Sequence, residues 1–364
     1  MTRYDIAIVG AGMAGASLAA AIGERARVLL IEAEDAPGYH ATGRSAAFWS
    51  ETYGGPVVQP LTTASGPILQ AGGFLEPLGA LHIGRAADAA AIDTFVTDFA
   101  ESGIVLDRVN PATILPRLRR EWTLGVSEPS SAYIDVAALH AAYLAAARKA
   151  GAVLETRAPL RAAVRDEAGW VLRAGEATFR ADILVNAAGA WADAVAALAG
   201  AAPLGVQPYR RTMIQLLTDP PAPADLPLVV DISGQFYFKP ASDGRLWLSP
   251  HDEIETPPCD AQPEELDIAV AVDRLEQVVE WRVAKLERRW AGLRSFAPDR
   301  LPIYGFDSRV PGLFWCAGQG GFGIQTAPAG AALAAALLLG GRPDPMVTAI
   351  DLARYAPSRF DAPA

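Results

Sequence analysis

The chain has 364 residues, of which 51% are hydrophobic and 20% are charged, and 31 Lys and Arg against 41 Asp and Glu give a formal net charge of −10. This apolar content excludes a mostly disordered protein, and a chain longer than about 250–300 residues is expected to form two lobes. The acidic balance argues against a nucleic-acid partner, because binding of phosphates needs clustered Lys and Arg.

The N-terminal segment predicts the start of a βαβ unit. Tyr4–Val9 is an apolar run typical of a buried strand, a glycine-rich turn follows it, and a helix is expected from about Met13 to Glu24. A second strand, Val28–Ile31, then ends at an acidic residue. This unit explains the apolar N-terminus better than a signal peptide does.

The middle of the chain mixes strands and helices. Asp135 is typical of a helix N-cap, and its helix is expected to run to Ala150. The other elements predicted before residue 203 are a strand near Leu81–Gly84, a helix near Asp88–Ser102, a hairpin of Trp170–Arg173 with Ala177–Arg180, and a buried strand at Ile183–Val185.

The C-terminal part begins with strands of alternating polarity. It ends, like the N-terminus, with an apolar strand, a glycine-rich turn and a helix. The predicted elements are strands at Met213–Leu217, Gln235–Lys239 and Leu246–Leu248, one long helix near Glu264–Arg288, a strand at Leu313–Ala317, a glycine-rich turn and a last helix. The segment His251–Glu253 comes nearest to a metal-ligand cluster. No histidines stand at ligand spacing, so we expect a solvated loop there and no metal site.

Two features favour a cytoplasmic protein that does not span a membrane. The two cysteines are too few for a disulfide framework and suit a reducing compartment. The apolar stretch Ala327–Leu339 is shorter than the about 20 residues that a membrane span needs, and Pro328 and Gly330 interrupt it.

A dinucleotide site is predicted at the first turn. Gly10 allows a tight turn, Gly12 leaves room for a pyrophosphate, and Gly15 allows the helix to pack closely on the strand. The helix N-terminus, which includes Ala14, presents free N–H groups to phosphates. Glu32, at the end of the second strand, can accept hydrogen bonds from ribose hydroxyls. This motif alone does not separate NAD from FAD.

Two later turns favour a flavin. Asn186–Gly189 follows a strand, as a second tight turn against a cofactor would. Gly318–Gly323 precedes the last helix, so its backbone N–H groups can face an anion. A reduced flavin carries negative charge near N1, which a helix N-terminus would stabilise.

Five segments resemble the FAD-dependent D-amino-acid oxidase superfamily, and bacterial D-arginine and broad D-amino-acid dehydrogenases are the most similar members. The segments are GAGMAG with Glu32, PGYHATGRSAA at 37–47, VNAAGAW at 185–191, WAGLRSF at 290–296 and GQGGFGIQT at 318–326. The resemblance implies hydride transfer from the α-carbon of a D-amino acid to flavin N5, followed by hydrolysis of the imino acid to a 2-oxo acid and ammonia. It also implies a non-covalent FAD, because neither Cys259 nor Cys316 matches the cysteine that carries flavin in some relatives.

This resemblance predicts an α/β fold with an α+β second lobe. The prediction agrees with the way strand–turn–helix units and alternating strands interleave along the chain. A Rossmann-like FAD-binding domain is expected to interleave with a substrate domain built on a mixed β-sheet. The expected FAD-binding domain comprises residues 1–67, 135–202 and 297–364, and the substrate-binding domain comprises residues 68–134 and 203–296.

The resemblance implies further cofactor contacts in three of these segments. The candidates are His40, Thr42, Gly43, Arg44, Ser45, Ala46, Ala188, Gly189, Trp191, Gly318, Gly320, Gly321, Phe322, Gly323, Ile324, Gln325 and Thr326.

The resemblance also implies the substrate-binding residues. Arg294 matches the arginine that holds the substrate carboxylate, and Arg211 matches a second arginine near it. Tyr237 matches a tyrosine on a strand, Tyr53 matches one on a mobile loop, and the carbonyl of Gly292 is expected to face the substrate amine. A bidentate arginine suits a carboxylate, since charged hydrogen bonds contribute about 1.5–3 kcal/mol each. Such positioning is chiefly what hydride transfer needs.

The chain departs from D-arginine-preferring relatives at the far end of the substrate. Those relatives carry a glutamate where this chain has Ala80, and Phe48 replaces a common histidine. His82 is a further candidate to line the pocket. A guanidinium without an acidic partner would lose its solvation, so we expect a preference for neutral or apolar side chains.

Three other functions are compatible with these patterns: an amine oxidase of the same superfamily acting on glycine, sarcosine or proline, a flavin-binding subunit without turnover, and a nicotinamide dehydrogenase. The oligomeric state and the electron acceptor, which could be a quinone, another carrier or oxygen, stay open.

Overall fold

The computed structural model describes residues 2–361. The helices are α1 Met13–Ile22, α2 Gln59–Ala71, α3 Ala89–Asp98, α4 Val136–Lys149, α5 Ala192–Leu198, α6 Glu265–Glu276 and α7 Ala327–Leu339. The strands are β1 Arg3–Val9, β2 Val28–Ile31, β3 Phe48–Trp49, β4 Leu75–Pro77, β5 Ala80–Arg85, β6 Asp107–Val109, β7 Trp122–Glu128, β8 Ala132–Ile134, β9 Val153–Glu155, β10 Leu160–Asp166, β11 Gly169–Ala174, β12 Ala177–Asn186, β13 Gln207–Asp219, β14 Leu228–Asp231, β15 Tyr237–Pro240, β16 Arg245–Ser249, β17 Ile254–Glu255, β18 Arg282–Phe296, β19 Ile303–Phe306, β20 Leu313–Ala317 and β21 Gln319–Gly320.

An eight-stranded sheet carries the N-terminal βαβ unit. Its strands follow the order β10-β11-β12-β1-β2-β9, and β20 pairs with both β12 and β19. The pairs of β1 with β2 and β12, of β2 with β9 and of β12 with β20 are parallel. Ile6, Ala7 and Ile8 of β1 are buried on both faces of the sheet, as residues of a central parallel strand should be. Helices α1 and α7 pack together on one of these faces.

A ten-stranded sheet forms the second layer. Its order is β21-β18-β13-β16-β15-β14-β5-β7-β6, with β17 beside β13. One face, called here the α6 face, carries Ile214, Leu216 and Phe238, which pack with residues of α6. Because side chains alternate along a strand, Arg211 and Arg294 project from the opposite face, called here the cavity face.

Several sequence-based predictions are confirmed. The strands and helix of the first βαβ unit, the β11–β12 hairpin and the last strand–turn–helix occur where the patterns indicated. Asp135 caps α4, since its carboxylate accepts a hydrogen bond from the N–H of Ala138 at 2.9 Å.

The predicted long helix near Glu264–Arg288 is wrong. Helix α6 ends at Glu276, and Arg282–Phe296 is instead the longest strand of the sheet. The start of this strand, RVAKLERR, contains Ala, Leu, Lys, Glu and Arg, which favour helix by propensity. The strand nevertheless pairs antiparallel with β13 along its length, from Arg282 opposite Asp219 to Phe296 opposite Gln207, and this pairing overrides local preference.

We propose that the two predicted domains correspond to the two large sheets. All strands of the eight-stranded sheet come from 1–67, 135–202 and 297–361, whereas those of the ten-stranded sheet, apart from β21, come from 68–134 and 203–296. Residues 362–364 of the predicted first domain lie outside the described residues. Within residues 2–361, the helices are too short or too polar to cross a bilayer.

Candidate active site

A cavity of about 440 Å³ lies between the two large sheets. Its wall is built by the glycine-rich turn after β1, the end of β2, the segment 38–45, the turn after β12, and the cavity face of β13 and β18. The ends of parallel strands from one sheet thus meet a face of the other sheet. This is the position at which doubly wound sheets bind their ligands.

The first turn can be made only with glycines. Gly10 has a φ of +99°, and a Cβ atom on it would lie 2.4 Å from the carbonyl oxygen of Ala187. A Cβ on Gly15 would lie 1.9 Å from the carbonyl oxygen of Gly10. The glycines therefore let α1 and the turn after β12 approach β1, and Gly12, the N-cap of α1, borders the cavity.

Glu32 is held rigidly at the end of β2. One carboxylate oxygen accepts a hydrogen bond from the N–H of Ala11 at 2.9 Å, and the other accepts one from the N–H of Glu34 at 3.0 Å. The side chain still borders the cavity, and each oxygen has a lone pair left. A fixed acceptor in this place fits a ribose hydroxyl.

The predicted cofactor residues divide into two groups. Those in the cavity wall are Gly10, Gly12, Ala14, Glu32, His40, Thr42, Arg44, Ser45, Ala188, Gly189, Trp191, Gly320, Gly321, Gly323 and Ile324. Those outside the wall are Gly15, Gly43, Ala46, Gly318, Phe322, Gln325 and Thr326.

The residues behind the wall support it. Thr326 is the N-cap of α7, and its hydroxyl donates to the carbonyl of Phe322 at 2.8 Å. The amide of Gln325 donates to the carbonyl of Tyr53 at 3.0 Å and so ties the last glycine-rich turn to another loop. In the wall itself, the ring of His40 lies 4.6 Å from that of Trp191.

The wall of the cavity is lined by glycines and has the carboxylate of Glu32 at one end. This arrangement fits an extended dinucleotide.

Arg294 stands at the other end of the cavity, between two tyrosine hydroxyls. Its Nη1 donates to the hydroxyl of Tyr53 at 2.6 Å, and its Nη2 donates to that of Tyr237 at 3.1 Å. Burial acts to lower the pKa of Arg294, but the contacts with these two hydroxyl oxygens outweigh it and keep the pKa above its ordinary value. The guanidinium is therefore a fixed cation that borders the cavity.

Arg211 places a second cation nearby. It is 3% exposed, its Nε donates to the carbonyl of Asp252 at 2.6 Å, and its Nη2 contacts the carboxylate of Glu253 at 2.9 Å. Its Nη1 is buried without a hydrogen-bond partner among the described residues. Burial, and then the charge of Arg294, lower the pKa of Arg211. Two close cations with an unused N–H group favour an anion in the cavity.

The prediction of a solvated loop at His251–Glu253 is confirmed in part, since the segment has no regular structure and Glu253 is exposed, but His251 and Asp252 are half-buried. This segment packs beside the two arginines, and the carboxylate of Asp252 accepts hydrogen bonds from the N–H and the hydroxyl of Thr212 at 2.8 and 2.9 Å. The His251 ring lies 5.5 Å from that of Tyr237, and burial lowers the pKa of His251 to about 3. The sequence alone did not indicate these contacts, because Arg211 and Thr212, which bind Asp252 and Glu253, lie 40 to 42 residues earlier in the chain.

The remaining substrate candidates lie around Tyr237, and only Gly292 among them borders the cavity. Phe48, Tyr53, Ala80 and Tyr237 lie behind the cavity wall. The Phe48 ring lies 5.3 Å from that of Tyr53 and 5.6 Å from that of Tyr237. Ala80 packs in the same apolar cluster as Tyr237. Gly292 borders the cavity opposite Arg211 on the neighbouring strand.

The expectation that His82 lines the pocket is not met. His82 is buried away from the cavity wall, its ring lies 4.5 Å from that of Phe95, and its Nε2 contacts the carboxylate of Glu128 at 3.0 Å. Glu128, which lies directly opposite Ala80 on β7, was not predicted from the sequence. The wall formed by Ala158–Leu160 was missed as well, and no motif marks either segment.

The comparisons with known proteins agree with this geometry. The family model described as FAD dependent oxidoreductase, DAO, matches residues 5–337. The glycine oxidase of Geobacillus kaustophilus is 27% identical over 98% of this chain and 97% of its own. The mitochondrial dimethylglycine dehydrogenase of Homo sapiens is 25% identical over 98% of this chain, and the chain spans only 44% of that protein's length.

Solved structures show the same fold. The crystal structure of glycine oxidase from Geobacillus kaustophilus superposes with a TM-score of 0.84 at 24% identity and covers 99% of both chains. The crystal structure of L-proline dehydrogenase from P. horikoshii has a TM-score of 0.86 at 20% identity and covers 99% of this chain and 98% of its own. The predicted α/β fold with a Rossmann-like cofactor domain is confirmed.

FAD is the cofactor of this enzyme, and the glycine turn, Glu32 and the glycine-rich segment before α7 are the residues that fit it. The resemblance found in the five sequence segments is thereby confirmed at the level of the family. The chain belongs to the DAO family of FAD-dependent oxidoreductases.

Proposed function

We propose that this enzyme oxidises D-amino acids with neutral or apolar side chains to imino acids, which hydrolyse to 2-oxo acids and ammonia. The observation that carries the proposal is the guanidinium of Arg294, which borders the cavity and donates hydrogen bonds to the hydroxyls of Tyr53 and Tyr237. Bound FAD supplies the acceptor for the hydride that leaves the α-carbon of the substrate. The protein side chains bind and orient the substrate.

The carboxylate would bind at the two arginines. Arg294 offers a planar donor group, and Arg211 has a buried N–H group without a partner within residues 2–361. Arg211 is buried and Arg294 is half-buried, so charged hydrogen bonds contribute more there than at the surface. Gly292, beside Arg211, lies where its backbone carbonyl could accept a hydrogen bond from the substrate amine. These two contacts would fix the orientation of the α C–H bond.

The substrate side chain would meet apolar groups. Met213 borders the cavity, and behind it Ala46, Ala80 and Leu228 form one apolar cluster with Tyr237, against which Phe48 packs. Glu128, which lies opposite Ala80 on β7, already accepts hydrogen bonds from His82, Thr52 and Ser50. It is therefore not free to pair with a guanidinium or an ammonium, which argues against D-arginine and D-lysine.

A non-covalent flavin is part of the proposal. Cys316 is 2% exposed within the core beside α7, and Cys259 is half-buried near Trp191. Neither cysteine borders the cavity. Denaturation should therefore release all of the yellow colour into the soluble fraction.

A second candidate is the oxidation of glycine or of a small secondary amine acid. The relatives named glycine oxidase, dimethylglycine dehydrogenase and L-proline dehydrogenase favour it. These substrates share the carboxylate that the two arginines would hold. The aromatic pair Phe48 and Tyr237 could also bound a pocket for a very small side chain.

Anaerobic reduction of the flavin separates the two candidates. The purified enzyme is mixed with D- and L-amino acids, glycine, sarcosine and proline, and the loss of flavin absorbance is followed before air is admitted. We expect the fastest bleaching with neutral D-amino acids. Bleaching by glycine or sarcosine alone would establish the second candidate, and bleaching by D-Arg or D-Lys above all others would contradict the proposed side-chain preference.

A further inference from the structure

A buried carboxylate lies beside the substrate region without touching the cavity. Glu128, the last residue of β7, is 0% exposed and lies opposite Ala80. Its oxygens accept hydrogen bonds from the hydroxyl of Thr52 at 2.7 Å, the hydroxyl of Ser50 at 3.0 Å and the N–H of Glu51 at 2.9 Å. His82 adds a contact at 3.0 Å.

This carboxylate is a compensated buried anion. Burial raises the pKa of Glu128, but the hydrogen bonds and charge of His82, with the Thr52 and Ser50 hydroxyls, outweigh burial and hold the pKa below its ordinary value. A buried carboxylate with this many donors remains ionised and rigid, whereas loss of the charge would leave the donors without a strong acceptor.

Ser50, Glu51 and Thr52, which donate these hydrogen bonds to Glu128, directly precede Tyr53 in the chain. Residues 50–53 lie in a segment without regular structure between β3 and α2. On its other side, the amide of Gln325 accepts a hydrogen bond from the N–H of Ser50 at 3.3 Å and donates to the carbonyl of Tyr53 at 3.0 Å. Residues 50–53 are therefore held between Glu128 of the ten-stranded sheet and Gln325, which follows the last glycine-rich turn.

We propose that Glu128, supported by His82, is a positioning residue that fixes residues 50–53 and through them the Tyr53 hydroxyl against Arg294. This inference rests on the proposed function, in which Arg294 holds the substrate carboxylate. Tyr53 reaches Arg294 at 2.6 Å, so a shift of the segment moves an acceptor of the guanidinium directly. Small displacements at a substrate-positioning group lower kcat/KM, because the substrate is no longer held in the reactive orientation.

The test compares Glu128→Gln with a matched control, Asp231→Asn. Asp231 is also buried in the same sheet, and it accepts hydrogen bonds from Ser233 and Gln235 in the β14–β15 turn, away from residues 50–53. Both variants remove one buried negative charge. Each is prepared with FAD bound, and KM and kcat for a D-amino acid are measured beside the Kd of benzoate from the flavin absorbance.

We expect Glu128→Gln to raise KM and the benzoate Kd at least 10-fold while kcat changes less than threefold. In Asp231→Asn both constants should stay within twofold of wild type. Wild-type constants in a folded Glu128→Gln enzyme, or equal changes in both variants, would overturn the proposal. Thr52→Val, which removes only one hydroxyl donor, serves if Glu128→Gln does not fold, and we expect about threefold increases.

Amide hydrogen exchange tests the positioning role of Glu128 independently of the proposed oxidation of D-amino acids. The N–H groups of Glu51 and Thr52 point at Glu128, at 2.9 and 3.4 Å, so their exchange should accelerate at least 10-fold in Glu128→Gln and not in Asp231→Asn. This readout needs no substrate. An enzyme that oxidises no amino acid would refute the proposed function, whereas unchanged exchange would refute the positioning role of Glu128.

Discussion

Each face of the ten-stranded sheet carries a buried arginine, and the two arginines differ in the acidic side chains that they contact. Arg210 and Arg211 are neighbours on β13 and project from opposite faces. On the α6 face, Arg210 contacts Glu264 and Asp267, the latter at 2.9 Å. On the cavity face, Arg211 shares the single carboxylate of Glu253 with Arg300. Within residues 2–361 each of the two neighbours has one buried N–H group without a partner, Nε in Arg210 and Nη1 in Arg211, so the difference between them lies in the acids that they contact.

This difference indicates which arginine is structural and which is available to a ligand. The two acids beside Arg210 compensate its charge and tie α6 to the sheet. Arg211 stands near a second cation, Arg294, with too few acids to compensate both. A buried excess of positive charge is costly unless an anion completes it, so the cavity face is suited to a carboxylate.

Removal of Arg294 should have the largest effect. Arg294→Ala deletes two charged donors, and at about 1.5–3 kcal/mol for each hydrogen bond kcat/KM should fall about 10³-fold. The control is Arg289→Ala on the same strand, an exposed arginine that contacts Glu265 of α6, and its kcat/KM should stay within twofold. Flavin content is measured in both variants. Equal kinetics in the two variants would refute the role of Arg294.

The neighbouring arginines should give opposite results. Arg211→Met should raise KM about 10-fold, since one charged hydrogen bond is lost, with a small effect on unfolding. Arg210→Met leaves Asp267 unpaired and should lower the free energy of unfolding by about 2 kcal/mol, because half of this network is solvent-exposed, while KM stays within twofold. Denaturant titration and steady-state kinetics measure both. A larger KM effect at Arg210 would reverse the assignment of the faces.

Acid should destabilise the cavity face through His251. Its pKa is lowered by burial, and then by Arg211 and Arg294, to about 3 from an ordinary 6.5. The unfolded state therefore binds an additional proton between pH 6.5 and 3, and stability falls as the pH decreases through this window, by at most about 1.4 kcal/mol per pH unit. His251→Gln should make the loss of stability shallower in this window. Identical pH profiles of unfolding would contradict the assignment.

Lys239 should give the smallest effect. It is 4% exposed on β15, and its ammonium lies 4.2 Å from the ring of Tyr133 and 4.6 Å from that of Trp247. Burial lowers its pKa to about 7 from 10.5, so the unfolded state binds more protons between these values and stability rises with pH across them.

Because the two rings also stabilise the ammonium, Lys239→Met should increase the free energy of unfolding at pH 7 by only about 1 kcal/mol. It should also remove the rise of stability between pH 7 and 10.5. Thermal unfolding at several pH values measures both effects. A destabilised Lys239→Met variant whose free energy of unfolding rises with pH as in wild type would contradict this account. It would mean that groups other than the two rings keep Lys239 charged.

Local patterns were sufficient for the parts of the fold that neighbouring residues determine. The turn at Gly10 requires φ values and close approaches that only glycine allows, so its sequence marks it. The N-cap at Asp135 is equally local. The strand at Arg282–Phe296 was mistaken for helix because its conformation depends on pairing with β13, more than 60 residues earlier in the chain.

The same distinction applies to the candidate site. Arg294 could be proposed from the segment WAGLRSF, whereas Glu128 could not, because its meaning comes from Ser50 and Thr52, more than 70 residues away. The role of Asp252 and Glu253 beside Arg211 likewise follows from tertiary contacts alone. When charged side chains lie far apart in the sequence, no local pattern predicts that they share a site, because only the folded sheet brings them together.

The central claim, that the cavity face binds a substrate carboxylate, is tested most directly with a pair of substrates that differ only there. Anaerobic flavin reduction is measured with D-leucine and with D-leucinamide, in wild type and in Arg294→Ala. We predict that wild type reacts at least 100-fold more efficiently with the acid, in kcat/KM terms, and that Arg294→Ala loses most of this selectivity. Equal efficiency of acid and amide in wild type would contradict the claim.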